Sequence, residues 1–397
     1  MPSSAKLPNN SKPESRLQLP KFTVESFSSL ELLQQENKRL VPKGLSASAF
    51  QRAWEAGFTG KDVVVAVIDT GVDGNHPDLR DKVIKAINLT GEPITESHGT
   101  HVAGTIAANG WLIGGAYDSK IVDIKALGYN GGSISNIIKA IGLAVSNGAS
   151  VVNMSLGGSG LTNNDIQGLT TAIQEAWNNG CICVAASGNS GTSICTPDTY
   201  EYPASIEKSE SVAACDVSDN LDTISLAPFS NENNRVDLGA CGVNIVSTVI
   251  DSKYAVYSGT SMSTPHVSAM AAILVQSIKS KYPTLTGSTF SSNLVSLLHS
   301  NVLKIDGCSP VTTVSIKGKT LLEKMGNPNC PSSTLDIKRS PGYTSALTKT
   351  VSVQYSNISF GLGFLRYEPT NGPYNTTAEK FFSNGVYLGN LVDLPTS

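Results

Sequence analysis

Residues Val63-Val64-Val65-Ala66-Val67-Ile68 run without a polar side chain and stop at Asp69-Thr70-Gly71. An unbroken, β-branched apolar run bounded by a turn fits a central parallel strand covered on both faces. That strand carries an acid at its carboxyl end. The segments after it keep alternating: the patterning predicts a helix over 100–108, a strand over 121–126, a helix over 135–147, a strand over 151–156, a helix over 164–178 and a strand over 181–186. Strand and helix taken in turn mean βαβ crossovers, hence an α/β fold with a mostly parallel central sheet and helices on both faces. Ligands of such sheets bind beyond the carboxyl ends of the strands. Asp69, Ser155-Leu156-Gly157-Gly158 and Ser187-Gly188-Asn189 all fall there.

The flanks are less regular. Residues 1–20 read as a disordered arm, 22–33 as a short strand and helix, and 47–54 as a helix. Short strands are expected at 211–217, 236–238 and 244–248. From 306 to 356 the pattern dissolves into Ser, Thr, Pro, Gly and Lys, as in an insertion, before Phe360-Gly361-Leu362-Gly363-Phe364-Leu365 resumes it. The expected organisation is an N-terminal segment over 1–39, a catalytic domain over 40–368 and a polar C-terminal tail over 369–397.

A hydrophobic content of 40% with 15% charged residues describes a globular chain with a sizeable core. The formal charge of -3 gives no basic face for nucleic acid. No membrane-spanning run and no apolar signal region are present, so an intracellular, reducing setting is expected, with export by another route left open. The seven cysteines lack metal-ligand spacing, and most suit small buried hydrophobes; Cys308 and Cys330 are the one pair in a setting that fits a disulfide.

Chemistry enters with three stretches. Asp69 ends the buried strand; His98 lies in Ser97-His98-Gly99-Thr100-His101-Val102-Ala103-Gly104; Ser261 lies in Gly259-Thr260-Ser261-Met262-Ser263-Thr264-Pro265-His266, ahead of an apolar helical run. Pro265 is expected in the first turn of that helix, where its missing N–H costs little. Ser261 taken alone reads as well as a helix cap. With an imidazole and a buried carboxylate in the same chain, it reads as a nucleophile: a neutral imidazole must take its proton, and the carboxylate must fix the tautomer and stabilise the cation. His76, His101 and His266 are given structural roles, since one base suffices.

The order acid, base, nucleophile is the subtilisin order. These three stretches, with Asn153-Met154-Ser155-Leu156-Gly157-Gly158 and Ala185-Ala186-Ser187-Gly188-Asn189, resemble the signature blocks of the subtilisin-like serine proteases. The resemblance implies a subtilisin-like three-layer fold and a serine endopeptidase in which Asp69, His98 and Ser261 form the triad and Asn189 supplies the oxyanion-hole side chain. Ser155-Leu156-Gly157 would pair with the substrate backbone as an added strand, and Gly131-Gly132 would form the opposite wall. It implies protein or peptide substrates, and a monomer is expected. The rival readings are a catalytically silent binding or structural module and an exo-acting peptidase.

Three departures stand out. A calcium-enclosing loop follows the His-bearing helix in many subtilisins; here Ala108-Asn109-Gly110-Trp111-Leu112-Ile113-Gly114 is short and poor in oxygen ligands, with only Asp78 in a ligand-like place, so no cofactor is required for the chemistry and a structural calcium is left open without support from the sequence. Cys241 stands where the family usually has Pro. Glu201, in Glu201-Tyr202-Pro203, stands where Gly is common at the primary specificity pocket; a carboxylate there would favour Lys or Arg, unless it turns to water. Lys38-Arg39 directly precedes Leu40, which leads to an expected self-cleavage after Arg39, releasing a short pro-segment of the kind found in intracellular subtilases with inhibitory N-termini.

Overall fold

The computed structural model describes residues 15–18, 23–25, 39–48, 50–191, 200–219, 223–231, 233 and 235–300, and short strands at 302–304, 314–315, 321–323, 379–383 and 386–392. In chain order the first half holds β1 (Arg16–Leu17), β2 (Thr23–Glu25), β3 (Arg39–Pro42), α1 (Lys43–Ala47), α2 (Phe50–Glu55), β4 (Val64–Asp69), β5 (Val83–Asn88), α3 (His98–Ala107), β6 (Lys120–Lys125), β7 (Gly132–Ser133), α4 (Ile134–Ser146), β8 (Val151–Met154), α5 (Asn163–Asn178) and β9 (Ile182–Ala186). The second half holds β10 (Ser209–Val217), β11 (Thr223–Leu226), β12 (Leu238–Cys241), β13 (Ile245–Val249), β14 (Lys253–Ser258), α6 (Thr260–Lys281), α7 (Gly287–Ser300), β15 (Val302–Lys304), β16 (Val314–Ser315), β17 (Leu321–Glu323), β18 (Glu379–Ser383) and β19 (Val386–Val392).

The expected α/β architecture is present. The main sheet runs β15-β17-β12-β10-β9-β8-β4-β6-β5, and from β12 to β5 every neighbouring pair is parallel. Period-2 alternation divides its side chains between two cores. Val65, Val67, Val184 and Val212 meet α3 and α6, whereas Ala66, Ile68, Val122, Ile124 and Cys183 meet α4 and α5. After β4 the chain builds outward through β6 and β5, then returns to build β8 and β9 on the other side. The strand order therefore reverses between β4 and β8, the switch point where such sheets open a crevice at their carboxyl ends. Asp69 ends β4, and Ser155 follows β8.

Several expectations need correction. The arm is not disordered throughout, because residues 15–18 are an ordered strand segment and Leu17 is fully buried. The strand expected within 22–33 is β2; residues 26–38 lie outside those described. Residues 379–392, assigned to a polar tail, contain the antiparallel hairpin β18–β19, which pairs with β3 and buries Tyr387 and Leu388. The helix expected over 47–54 is two short helices, α1 and α2. The strand expected at 236–238 begins only at Leu238. Strands β5 and β14 were missed: four of the six β5 residues are exposed, as suits an outer strand, and β14 grades from an exposed to a buried end instead of alternating. The insertion over 306–356, apart from β16 and β17, and all of 360–365 lie outside the described residues, as do Cys308 and Cys330; Cys181, Cys183, Cys215 and Cys241 are buried free thiols.

Candidate active site

Asp69 and His98 meet because the start of α3 is pressed onto the turn that leaves β4. A Cβ on Gly99 would lie 2.5 Å from the Gly71 carbonyl oxygen, so only glycine lets the helix approach this closely, and the Gly99 N–H donates to Thr70 Oγ1 at 3.0 Å. His98 Nδ1 then lies 2.8 Å from Asp69 Oδ1, with both side chains buried. The same carboxylate oxygen accepts the Thr70 N–H at 2.7 Å. With Nδ1–H donating to the carboxylate, Nε2 is the basic nitrogen.

Ser261 is held from β8. Helix α6 starts at Thr260, which puts Pro265 in its second turn and not, as expected, in its first. The absent N–H of Pro265 is the one that would have bonded the Ser261 carbonyl. Ser155 Oγ takes its place, donating to Ser261 O at 2.8 Å, while Ser261 Oγ donates to Ser155 O at 3.0 Å. Asn153 Nδ2 donates to Ser155 Oγ at 3.0 Å, and Ser268 Oγ donates to Asn153 Oδ1 at 2.8 Å. A buried chain of hydrogen bonds thus ties α6 to β8, the strand beside β4. Val67 pairs with Asn153, and adjacent strands lie about 4.8 Å apart, so Asp69 and Ser155 leave the sheet side by side.

Asn189 sits at the start of the same helix. Its Oδ1 accepts the Thr260 N–H at 2.9 Å and the Thr260 hydroxyl at 2.8 Å. A backbone N–H can only donate, so these contacts fix the amide orientation and commit Nδ2, its donor end, to the other side.

Glu201 turns inward. A Cβ on Gly188, which has φ +106°, would lie 2.6 Å from Glu201 Cγ, and a Cβ on Gly157 would lie 3.3 Å from Glu201 Oε2. The carboxyl therefore stands between the 155–157 edge and the 187–189 turn, and burial raises its pKa above the ordinary value. Tyr202 pairs with Gly158 and fixes the segment's position.

The two expected cleft walls face each other, and something already lies between them. Arg16 pairs with Ser133 and Leu17 with Gly132; Gln18 and Gly157 exchange N–H···O bonds of 3.0 and 2.9 Å. Thr23 then pairs with Ser258, three residues ahead of Ser261. The N-terminal segment fills the edge-to-edge gap as an added strand. Motif reading missed this occupant because backbone pairing leaves no residue signature.

His101 and His266 take the structural places assigned to them. His101 Nε2 lies 3.0 Å from Ile245 O and 3.2 Å from Ala255 O, its ring stacks on Tyr257, and burial lowers its pKa to about 3. His266 Nδ1 lies 2.8 Å from Met262 O, and burial lowers its pKa to about 4. His76 Nε2 lies 3.0 Å from Lys253 O.

The family's calcium loop can be tested on this geometry. Asp78 accepts the N–H groups of Trp111 and Leu112 and the hydroxyl of Tyr254, at 2.9, 2.8 and 2.8 Å. Asn109 Oδ1 and Gly110 O, the nearest loop oxygens, both receive the Arg39 guanidinium. These residues do not fit a calcium ion: the carboxylate faces donors, and a cation of the chain itself occupies the carbonyls. Among the described residues no group of three or more His, Cys, Asp or Glu is suited to a metal.

A buried acid–imidazole pair at a sheet switch point and, one strand away, a serine at a helix start with an oriented amide are the parts of an α/β serine hydrolase. Residues 60–313 match the family model described as the subtilase family, and the chain belongs to that family of serine endopeptidases. It is 37% identical to the major intracellular serine protease of Bacillus subtilis (strain 168) over 247 residues, 59% of this chain and 75% of that protein. It is 38% identical to subtilisin E of the same organism over 269 residues, 66% of this chain and 67% of that protein. It is 43% identical to the thermophilic serine proteinase of Bacillus sp. (strain AK1) over 233 residues, 56% of this chain and 54% of that protein. Among the described residues no helix is long and apolar enough to cross a membrane.

Proposed function

We propose that Ser261 is the nucleophile, His98 the general base and acid, Asp69 the residue that orients and stabilises the imidazolium, and Asn189 Nδ2, with the Ser261 N–H, the oxyanion hole. The 2.8 Å contact between His98 Nδ1 and Asp69 Oδ1, buried one strand away from the Ser155–Ser261 contacts, carries this reading. Ser261 Oγ leaves Ser155 O, gives its proton to His98 Nε2 and bonds to the substrate carbonyl carbon. The resulting oxyanion is held by the two N–H donors. On collapse, His98 returns the proton to the leaving amine, and water repeats the sequence on the acyl-enzyme; Asp69 stays ionised throughout. The chain needs no metal or cofactor for any of these steps.

Glu201 favours Lys or Arg at the residue whose carbonyl is attacked. Its inward position between Gly157 and Gly188 supports this, because no cation among the described residues pairs with it and a substrate ammonium or guanidinium would. Residues 15–18 hold the enzyme in a self-occupied form, and substrate pairs with the same two edges once they leave. Lys38-Arg39 suits the Glu201 pocket, and processing after Arg39 belongs to this proposal. The Arg39–Leu40 bond lies in β3, paired with β19 and bonded to Trp111 and Ile113, so it becomes available only when β3 leaves its sheet. The expected order is reversible opening first and cleavage second. Buried free thiols and two relatives named as intracellular proteases support a reducing compartment.

Cleavage-site profiling against an unblocked peptide library tests the proposal. Internal cuts after Lys and Arg, abolished in Ser261→Ala, are expected; terminal trimming, or an unchanged basic preference in Glu201→Gly, would contradict it. Active enzyme with an intact N-terminus by mass spectrometry would remove the processing step.

A further inference from the structure

The loop that leaves the His98 helix is built from two sets of polar groups that are satisfied in different ways. Residues 108–114 fold back on the end of α3, with the Asn109 N–H donating to Asp78 O and the Gly114 N–H to Ala108 O, both at 2.8 Å. The donors of the loop meet Asp78. Its Oδ1 takes the Trp111 N–H, its Oδ2 takes the Leu112 N–H together with the Tyr254 hydroxyl, and a Cβ on Gly110 would lie 1.9 Å from Oδ1. The loop is moulded on that carboxylate. Its own acceptors, Asn109 Oδ1 and Gly110 O, have no hydrogen to give and need donors from another element.

Arg39 supplies them. Its Nε donates to Gly110 O at 2.7 Å and its Nη2 donates to Asn109 Oδ1. Two N–H groups of one planar cation on two oxygens of adjacent residues make a forked contact for which a guanidinium is shaped and an ammonium is not. The strand that carries Arg39 is stitched to the same loop. The Leu40 N–H donates to Trp111 O at 2.6 Å, the Ile113 N–H donates to Leu40 O at 3.0 Å, and Arg39 pairs with Val392 on β19. Leu40 and Val41 are fully buried. The guanidinium thus reaches the loop from a backbone that is already fixed, which lowers the entropy cost of the contact.

We propose that Arg39 is the resident cation of the 108–114 loop, taking the place of a bound metal ion, and that cleavage after Arg39 carries this cation away with the N-terminal segment. The second half rests on the processing step proposed above. A chelator strips a metal from a loop, whereas a cation that is part of the chain is lost only when the chain is cut. The full chain therefore keeps its loop without calcium, and the freed enzyme is the less stable form, its lifetime shortened by its own activation.

The experiment uses the full chain carrying Ser261→Ala, so that no variant digests itself during the measurement. Midpoints of thermal unfolding are compared for this parent, for Arg39→Met, Arg39→Lys and Asn109→Ala in the same background, and for Arg39→Met combined with Asn109→Ala, each in chelator and in calcium. Arg39→Met keeps the stem and removes the charge; a fall of about 3–8 °C is expected from the size of charge-assisted hydrogen bonds. Arg39→Lys returns the charge without the fork and should recover about half of that fall. Because Arg39 acts through Asn109, the combined variant should fall short of the sum of the two single effects by about 2 °C or more. Calcium should leave the difference between the parent and Asn109→Ala unchanged. An Arg39→Met midpoint within about 1 °C of the parent, a lysine variant no better than the methionine one, additive effects, or a parent that calcium stabilises only while Asn109 is present would each overturn the resident cation. If Arg39→Met does not fold, the calcium response of the parent against Asn109→Ala decides. Mass spectrometry of the active enzyme separates the two halves: retention of residue 39 sinks the processing step and leaves the resident cation standing, whereas an enzyme that begins at Leu40 and melts with the parent would overturn the loss of the cation on activation.

Discussion

The two sides of the cleft are built by different means. Around Ser261, His98 and Asn189 nearly every position is set by a side chain reaching another element: Ser155 to the carbonyl that Pro265 leaves open, Asp69 to the imidazole, Thr260 to the amide oxygen. Along Gly131-Gly132 and Ser155-Leu156-Gly157 the working groups are backbone N–H and C=O, and their present partner is the backbone of residues 16–18. The first region admits one arrangement of particular residues. The second admits any extended chain, including the protein's own. Chemical identity is written in side chains, and binding breadth comes from the main chain.

The contrast can be tested from its strongest consequence to its weakest. Asn189→Ala should lower kcat about 10²–10³-fold with little change in KM, since the amide acts on charge that exists only in the transition state; the magnitude is that known for a subtilisin and is carried over, not deduced here. A comparable rise in KM would mean that the amide binds ground-state substrate. Leu17→Ala should act in the opposite direction. Burying a leucine is worth about 1.5–3 kcal/mol, so the variant should open the cleft and raise initial activity on peptides about 10-fold or more, without altering the activity of enzyme already freed of its N-terminus. Equal initial rates would show that the added strand does not limit access.

Smaller again is the effect of Glu201. Burial raises the pKa of Glu201 above its ordinary value, so the carboxylate is lost earlier as pH falls than it would be in a free glutamate. Preference for Lys over Leu, read as a ratio of kcat/KM, should be greatest near neutrality and decay toward acid pH, and Glu201→Gly should give a ratio flat with pH. Smallest for activity is Ser155→Ala, which leaves the Ser261 carbonyl buried without a donor. It should cost about 1–3 kcal/mol of stability by denaturant unfolding, and an unchanged midpoint would show that water replaces the hydroxyl.

The same division explains what was legible in the sequence. The continuous apolar run at 63–68 and the helix periods at 135–147 and 164–178 are local signals of burial, and the parallel core follows from them. Asp69, His98, Asn189 and Ser261 stood out because the chemistry demands their residue types. Outer strand β5 carried no such signal, since its apolar residues do not track burial: Ile84 is 52% exposed. Strand β1 has two residues, and its partner, Gly132–Ser133, is more than a hundred positions away, so nothing local predicts the pairing. The C-terminal hairpin read as a polar tail because its apolar residues come in short runs, Phe381-Phe382 and Val386-Tyr387-Leu388, split by Ser383-Asn384-Gly385.

The central claim is that Ser261 is activated by His98 on the arm of Asp69. Its most direct test is intact-mass and peptide-mapping analysis after reaction with a fluorophosphonate, run on wild type, Ser261→Ala and His98→Ala. One adduct on the peptide containing Ser261, absent from the Ser261→Ala variant and formed at least a thousandfold more slowly in the His98→Ala variant, is the predicted result, the factor being on the order of that known for losing a triad member. Stoichiometric labelling elsewhere, or labelling of Ser261 at the wild-type rate without His98, would contradict it.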